Sequence, residues 1–208
     1  MSTQMLLGII DGGDWRVAQH IRSRRDDEPF YQASIILSRL KNYSDICNNL
    51  HHCKFVTTYD DWTPEMGDEH YSLSSTIGAD VLDEIIDCGK YDVVHLSDAR
   101  EFLKQESFCR YAFIINFDTG KLTAYHSGDR FIFGEYDLDN LPSIYRFMDD
   151  LEEFEKEHLY EINRIIHSST IMMLRDNAIA QGLDPDEAER KFLEAISVTT
   201  DDEEDEEE

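Results

Sequence analysis

The sequence predicts an α+β protein in which a small, mostly antiparallel sheet carries helices on one face and is followed by a helical C-terminal section. Three observations predict it. Short apolar runs alternate with glycine-containing turns as far as Leu141, and from Pro142 onward apolar residues recur at three- and four-residue intervals. Apolar residues make up 41% of the chain and aromatic residues 11%, enough to build a core despite the heavy charge.

Met5 to Ile10 reads as a strand, Asp11-Gly12-Gly13-Asp14 as a turn whose glycines supply positive φ, and a second strand begins at Trp15. Pro29 opens a helix that runs to Leu40 with Phe30, Ala33, Leu37 and Leu40 on one side. Ser44 is placed to cap a shorter helix carrying Ile46, Cys47 and Leu50. A strand over 55–59 is followed by a loop over 60–69, which contains Pro64 and Gly67. Ala79 to Asp87 is a helix expected to close on Gly89 at C′, and 93–96 is strand-like. Tyr111–Phe117, Leu122–Tyr125 and Phe131–Tyr136, joined by the Asp118–Lys121 turn, form a β-meander. The hairpin, the 55–59 and 93–96 strands and the meander are expected to share one sheet, within a domain spanning 1–141.

Past Pro142 the period changes. Phe147, Leu151, Phe154, Leu159 and Ile162 fall on one helical arc, while Asp149, Glu153, Glu157 and Glu161 repeat every four residues on the other side. This helix runs into Ile165–Leu174, which is apolar on several faces and is therefore expected to be buried against the sheet or a second subunit. Gly182 ends it, and Asp184-Pro185 opens a last helix reaching Ile196. The helical section is expected over 142–198 and an unstructured acidic tail over 199–208.

Charge narrows the class of partner. The chain has 45 acidic and 19 basic residues, a formal charge of −26, and Asp201 to Glu208 are all acidic; without that run, 37 acidic residues still face 19 basic ones. A field of this sign repels nucleic acid and anionic membranes and attracts basic surfaces. Met1-Ser2-Thr3-Gln4 has no basic residue, and the apolar run Met5–Ile10 is too short for a signal or a span, so a cytoplasmic protein is expected. Cys47, Cys53, Cys88 and Cys109 have no disulfide-framework spacing and read as free or buried thiols.

Tyr71-Ser72-Leu73, Gly78, Leu82, Ile85-Ile86, Gly89, the run Ser107-Phe108-Cys109-Arg110-Tyr111-Ala112-Phe113-Ile114-Ile115-Asn116-Phe117-Asp118, and then Leu122 and Tyr125 together resemble a family of bacterial and phage proteins of unassigned function. The first twenty-five residues carry a weaker echo that includes Gln19-His20, but Arg22-Ser23-Arg24-Arg25 depart from the family pattern. The resemblance implies a fold and a microbial or phage setting, and it supplies no chemistry.

No motif specifies a reaction. Ser2 would head the chain after removal of Met1 and precedes a strand and hairpin, the layout of N-terminal-nucleophile amide hydrolases, but no oxyanion-hole motif accompanies it. Cys47, His51 and Cys53 are the one group with metal-ligand types, and a structural zinc site needs a fourth ligand. Asp11/Asp14 and Asp60-Asp61 lack EF-hand spacing, and the Asp11–Asp14 turn puts acids where a phosphate would sit.

Asp149 to Glu161 holds seven carboxylates and one lysine in thirteen residues. At ~1.5 Å per residue this is ~20 Å of helix, with about half the charge density of duplex DNA. With Asp201, Asp202, Glu203 and Glu204 of the tail, Asp149, Glu153, Glu157 and Glu161 are the expected partner-binding residues. Arg16, His20, Arg22 and Arg24 alternate on a strand and are expected to share a face that docks an anion or the chain's own tail. The function these features favour is non-catalytic: an acidic protein that engages a basic protein surface, as an inhibitor or nucleic-acid mimic, with no cofactor. The competing readings are the Ser2 hydrolase and a structural homo-oligomer built through Ile165–Leu174.

Overall fold

The computed structural model describes residues 4–22, 28–41, 43–56, 78–90 and 93–201. The chain divides into two compact units, Met1–Leu151 and Glu152–Glu208.

The first unit is built on two hairpin systems. β1 (Gln4–Asp11) and β2 (Asp14–Arg22) pair antiparallel around Gly12 and Gly13, whose φ values of 64° and 77° meet the demand for left-handed turn residues. β5 (Tyr111–Asn116), β6 (Lys121–His126) and β7 (Phe131–Asp137) form the meander. β1 joins the two systems by pairing parallel with β5 from Met5↔Tyr111 to Ile10↔Asn116, giving the sheet order β2-β1-β5-β6-β7.

β3 (Cys53–Val56) and β4 (Val94–Ser97) correct the expectation of one sheet: they form a separate two-stranded parallel ladder. Their separation along the chain explains this. Antiparallel neighbours need only a tight turn, whereas strands nearly forty residues apart are free to pair parallel across a helical crossover. The Ala99 N–H, just past β4, donates to the Ala18 carbonyl on the open edge of β2 at 3.0 Å.

Helices cover one face of the sheet, as its alternation requires. Met5, Leu7, Ile9, Val17, Ile21, Phe113, Ile115 and Leu122 form a core with Ala33, Ile36, Leu37 and Leu40 of α1 (Glu28–Leu40), Ile46 of α2 (Tyr43–Asn49) and Val81, Leu82 and Ile85 of α3 (Val81–Ile86). Phe147 and Leu151 of α4 (Ile144–Glu157) belong to the same core, and Phe147 meets the rings of Phe113, Phe133 and Tyr136. On the other face Leu6, Ala112 and Ile114 pack with Trp15, Phe102 and Leu103 under the 3-10 turn Arg100–Lys104. The closure of α3 differs from expectation. It ends through Asp87 at φ −84°, and Gly89 is not among the left-handed glycines, because the Asp87 N–H reaches Asp83 without a reversal.

The amides of the diglycine turn are engaged from within the chain. The Gly12 and Gly13 N–H groups each donate to Asp118, to Oδ1 and Oδ2 at 2.8 Å, so a carboxylate from the β5–β6 turn fills the nest. Asp118→Ala is expected to cost about 1 kcal/mol in urea unfolding, the modest value of an exposed charge-assisted pair. An unchanged midpoint would show that water satisfies the two donors equally well.

The second unit contains α5 (Leu159–Ile166), α6 (Ser168–Ala180) and α7 (Pro185–Asp201), with Gly182 at φ 72° reversing the chain between the last two. The one helix expected between Pro142 and Gly182 is instead three helices interrupted at His158 and His167, whose φ values are −111° and −100°. The i→i−4 ladder still passes both points: His158 bonds Phe154 at 3.0 Å and His167 bonds Asn163 at 2.9 Å. No helix among the described residues is long and apolar enough to cross a membrane.

Candidate functional site

The acidic stripe is the feature that the helices display most openly. On α4, Leu151 and Phe154 point inward while Asp149, Glu153 and Glu157 are exposed on the opposite side, and Glu161 of α5 is exposed as well. The helical period produces this separation, since residues four apart stand above one another. Among the described residues none of these four carboxylates enters a salt bridge. Their neighbours do: Asp150 takes Arg146 at 2.9 Å and the Tyr136 hydroxyl at 2.9 Å, and Glu152 takes Lys156 at 2.6 Å. Burial, followed by the bond to Asp150, pushes the Tyr136 hydroxyl well above the ordinary phenol range.

α7 packs against α5 and α6 around a buried carboxylate that sequence reasoning missed. Glu189 is 5% exposed and accepts from Arg164 at 2.8 Å and Arg175 at 2.7 Å, while Arg175 also holds Asp186 at 2.6 Å. Leu193, Ile162, Ile171 and Ala178 are the buried apolar residues of this unit beside Phe154. In the sequence Glu189 looks like one more surface acid, and nothing local marks it. Glu189→Ala is expected to destabilise the unit by about 1–2 kcal/mol, because Arg164 loses this partner and Arg175 is left with Asp186 alone of its two carboxylates. Thermal unfolding followed by helical circular dichroism checks this, and an unchanged midpoint would mean that solvent pairs the arginines as well as Glu189 does.

The exposed residues of α6 correct one half of a second expectation, that the Ile165–Leu174 stretch is buried within this chain. Within Ile165–Leu174 only Ile171 is fully buried, and Met172 and Met173 are 66% and 59% exposed. An all-round apolar pattern shows that a helix has partners to find without showing that they are in the same chain.

The other expected sites are placed as follows. β2 carries a bulge: Ile9 pairs with Val17 and Ile10 with Trp15, which leaves Arg16 between them and outside the alternation. Arg16 donates to the Asp11 carbonyl at 3.3 Å. His20 is paired with Leu6 and sits on the opposite sheet face, against Phe102 at 4.2 Å and with Nε2 3.1 Å from Gln4. The register puts the Arg22 backbone opposite Gln4; the Arg22 side chain and Arg24 lie outside the described residues. Arg16 and His20 are thus not brought together.

Cys47 is exposed at the surface of α2, the His51 ring lies 3.9 Å from that of His52 and tilted 41° to it, and Cys53 is half-buried, its thiol pushed up to about 12 by burial. Among the described residues no group of three or more His, Cys, Asp or Glu side chains is arranged to hold a metal ion. Ser2, Asp202, Glu203 and Glu204 lie outside the described residues, as does the side chain of Asp201, the last residue of α7.

A cleft of about 330 Å³ in the first unit is lined by Trp15, Asp98, Arg100, Leu103, Lys104 and Asp129. Its cations are already engaged: Arg100 donates to Asp98 at 2.8 Å and Lys104 to Glu101 at 2.9 Å. The hydrogen bond from Arg100 holds the Asp98 carboxyl below the usual carboxylate range. The two cations of the cleft are thus held by neighbouring carboxylates. No protein-family model, no curated protein and no solved structure matches the chain.

Proposed function

We propose that this chain is a non-catalytic binding protein that engages a basic protein surface through the carboxylates of α4, α5 and the C-terminal acidic run. One observation carries the proposal: Asp149, Glu153, Glu157 and Glu161 stand exposed and outside any salt bridge among the described residues, although arginines and lysines nearby have paired with other acids. Acids four apart on a helix repeat at ~6 Å, a spacing that a row of basic side chains on a partner can meet. The resemblance to bacterial and phage proteins extends the proposal to a role as a mimic that occupies the nucleic-acid site of a host protein.

Affinity capture tests it with two baits, the full-length protein and a version ending at Thr200 that carries E153Q, E157Q and E161Q. A basic, nucleic-acid-binding prey on the first bait alone is the expected result. The same preys on both baits would remove the charge basis of the proposal.

A further inference from the structure

We infer that the outer face of α6, formed by Met172, Met173 and Ile179 with Leu183 just beyond the helix, is the docking surface for a basic amphipathic helix of the partner. The inference rests on the charge reading above and adds the apolar half of the site. Met172 and Ile179 are seven residues apart and fall on one line, with Met173 on the adjoining row. These side chains are 66%, 62% and 59% exposed, and Leu183 is 61% exposed. The inward side of the same helix is fully used: Ile171 and Ala178, also seven apart, are buried, and Arg175 is tied to Asp186 and Glu189 on α7. The contrast leaves a helix whose buried stripe has found its neighbours and whose other apolar stripe has none among the described residues.

Charge selects the occupant. Asp176, one turn on from Met172, and Asp184, next to Leu183, are exposed beside the patch, and Arg175 is the one basic residue between Ser168 and Asp184. From Glu152 to Glu208 there are nineteen acidic residues and five basic ones. A second copy would set this field against itself, and a two-fold contact would place the same acidic rim on both sides. An anionic lipid surface is repelled for the same reason. A helix with leucines on one side and lysines or arginines around them satisfies both halves, the anchors meeting adaptable methionines and the cations meeting the rim.

Three peptides of about 18 residues, long enough to be helical on the protein, provide the probes. One has leucines at i, i+3, i+4 and i+7 with lysines elsewhere. The second has the same composition with the leucines scattered, and the third replaces lysine by glutamate. Full-length protein labelled with 13C at the methionine methyl groups reports where each one sits. The amphipathic Leu/Lys peptide is expected to shift Met172 and Met173 while leaving buried Met5 unmoved. Its affinity is expected to fall about tenfold or more with the scattered peptide, and equally in an M172S/I179S variant. Both substitutions are at exposed positions, and unchanged helical circular dichroism confirms the fold.

Equal binding of the ordered and scattered Leu/Lys peptides, weakened by E153Q/E157Q/E161Q, overturns this inference and leaves the charge reading intact. Equal binding of the Leu/Glu peptide at Met172 and Met173 overturns the charge reading itself. A wild-type dimer that becomes monomeric in M172S/I179S, seen by sedimentation, assigns the face to a second copy and also overturns the inference.

Discussion

Gly128→Ala is expected to destabilise the first unit by about 3 kcal/mol, a large share of the roughly 5–15 kcal/mol that holds a domain together. Two effects act at one atom. Gly128 has φ 66°, where an L side chain is strained, and an added Cβ would lie 2.3 Å from the Leu103 carbonyl oxygen, a backbone atom that cannot swing aside. The approach has a structural purpose. The Gly128 N–H donates to the Cys109 carbonyl at 2.6 Å and the Ser127 N–H to the Arg110 carbonyl at 2.8 Å, so the β6–β7 turn is fastened to the residues that lead into β5. Gly120 is the internal control, with φ 68° and nothing within 4 Å of an added Cβ. Gly120→Ala should cost only the conformational part, about 1 kcal/mol. Urea midpoints that are equal for the two variants would show that the segment around Leu103 yields freely.

The E153Q/E157Q/E161Q variant is expected to bind a basic probe about tenfold more weakly than the wild-type protein, with little change in its own stability. Each carboxylate is exposed and outside any salt bridge among the described residues, so neutralising it strands no intramolecular partner. The loss appears at the interface alone. Removing the residues after Thr200 subtracts a further eight acids and should deepen the loss, chiefly by slowing association, since distant charge steers encounter. A fall in melting temperature comparable to that of Glu189→Ala would instead show that the stripe stabilises the fold.

What could be read from the sequence was whatever short-range chemistry dictates. Gly12, Gly13 and Gly120 marked their turns because positive φ leaves few alternatives, and the period of Phe147, Leu151 and Phe154 gave the inward face of α4. The parallel pairing of β1 with β5 was not legible, because it joins residues about a hundred positions apart and no local pattern carries it. The same holds for β3 and β4, whose apolar runs fit any sheet equally well. Arg16 was misplaced by a bulge, since one extra residue shifts everything before it to the other face. Glu189 went unnoticed because a buried acid differs from a surface acid only in its neighbours, and Arg164 and Arg175 come from two other helices. Met172 and Met173 fall in a stretch expected to be buried against the sheet or a second subunit, yet stand exposed for a related reason: hydrophobicity records a demand for contact and leaves the partner open.

The central claim is that the acids of α4 and α5 that stand outside any salt bridge among the described residues bind a basic surface, and ionic strength addresses it most directly. The affinity of the amphipathic Leu/Lys peptide would be measured for wild type and E153Q/E157Q/E161Q between about 0.01 and 0.15 M salt, where the screening length contracts from about 30 to about 8 Å. The account predicts a steep fall with salt for the wild-type protein and a clearly shallower one for the variant. Parallel lines for the two proteins, or an affinity that ignores salt, would contradict it.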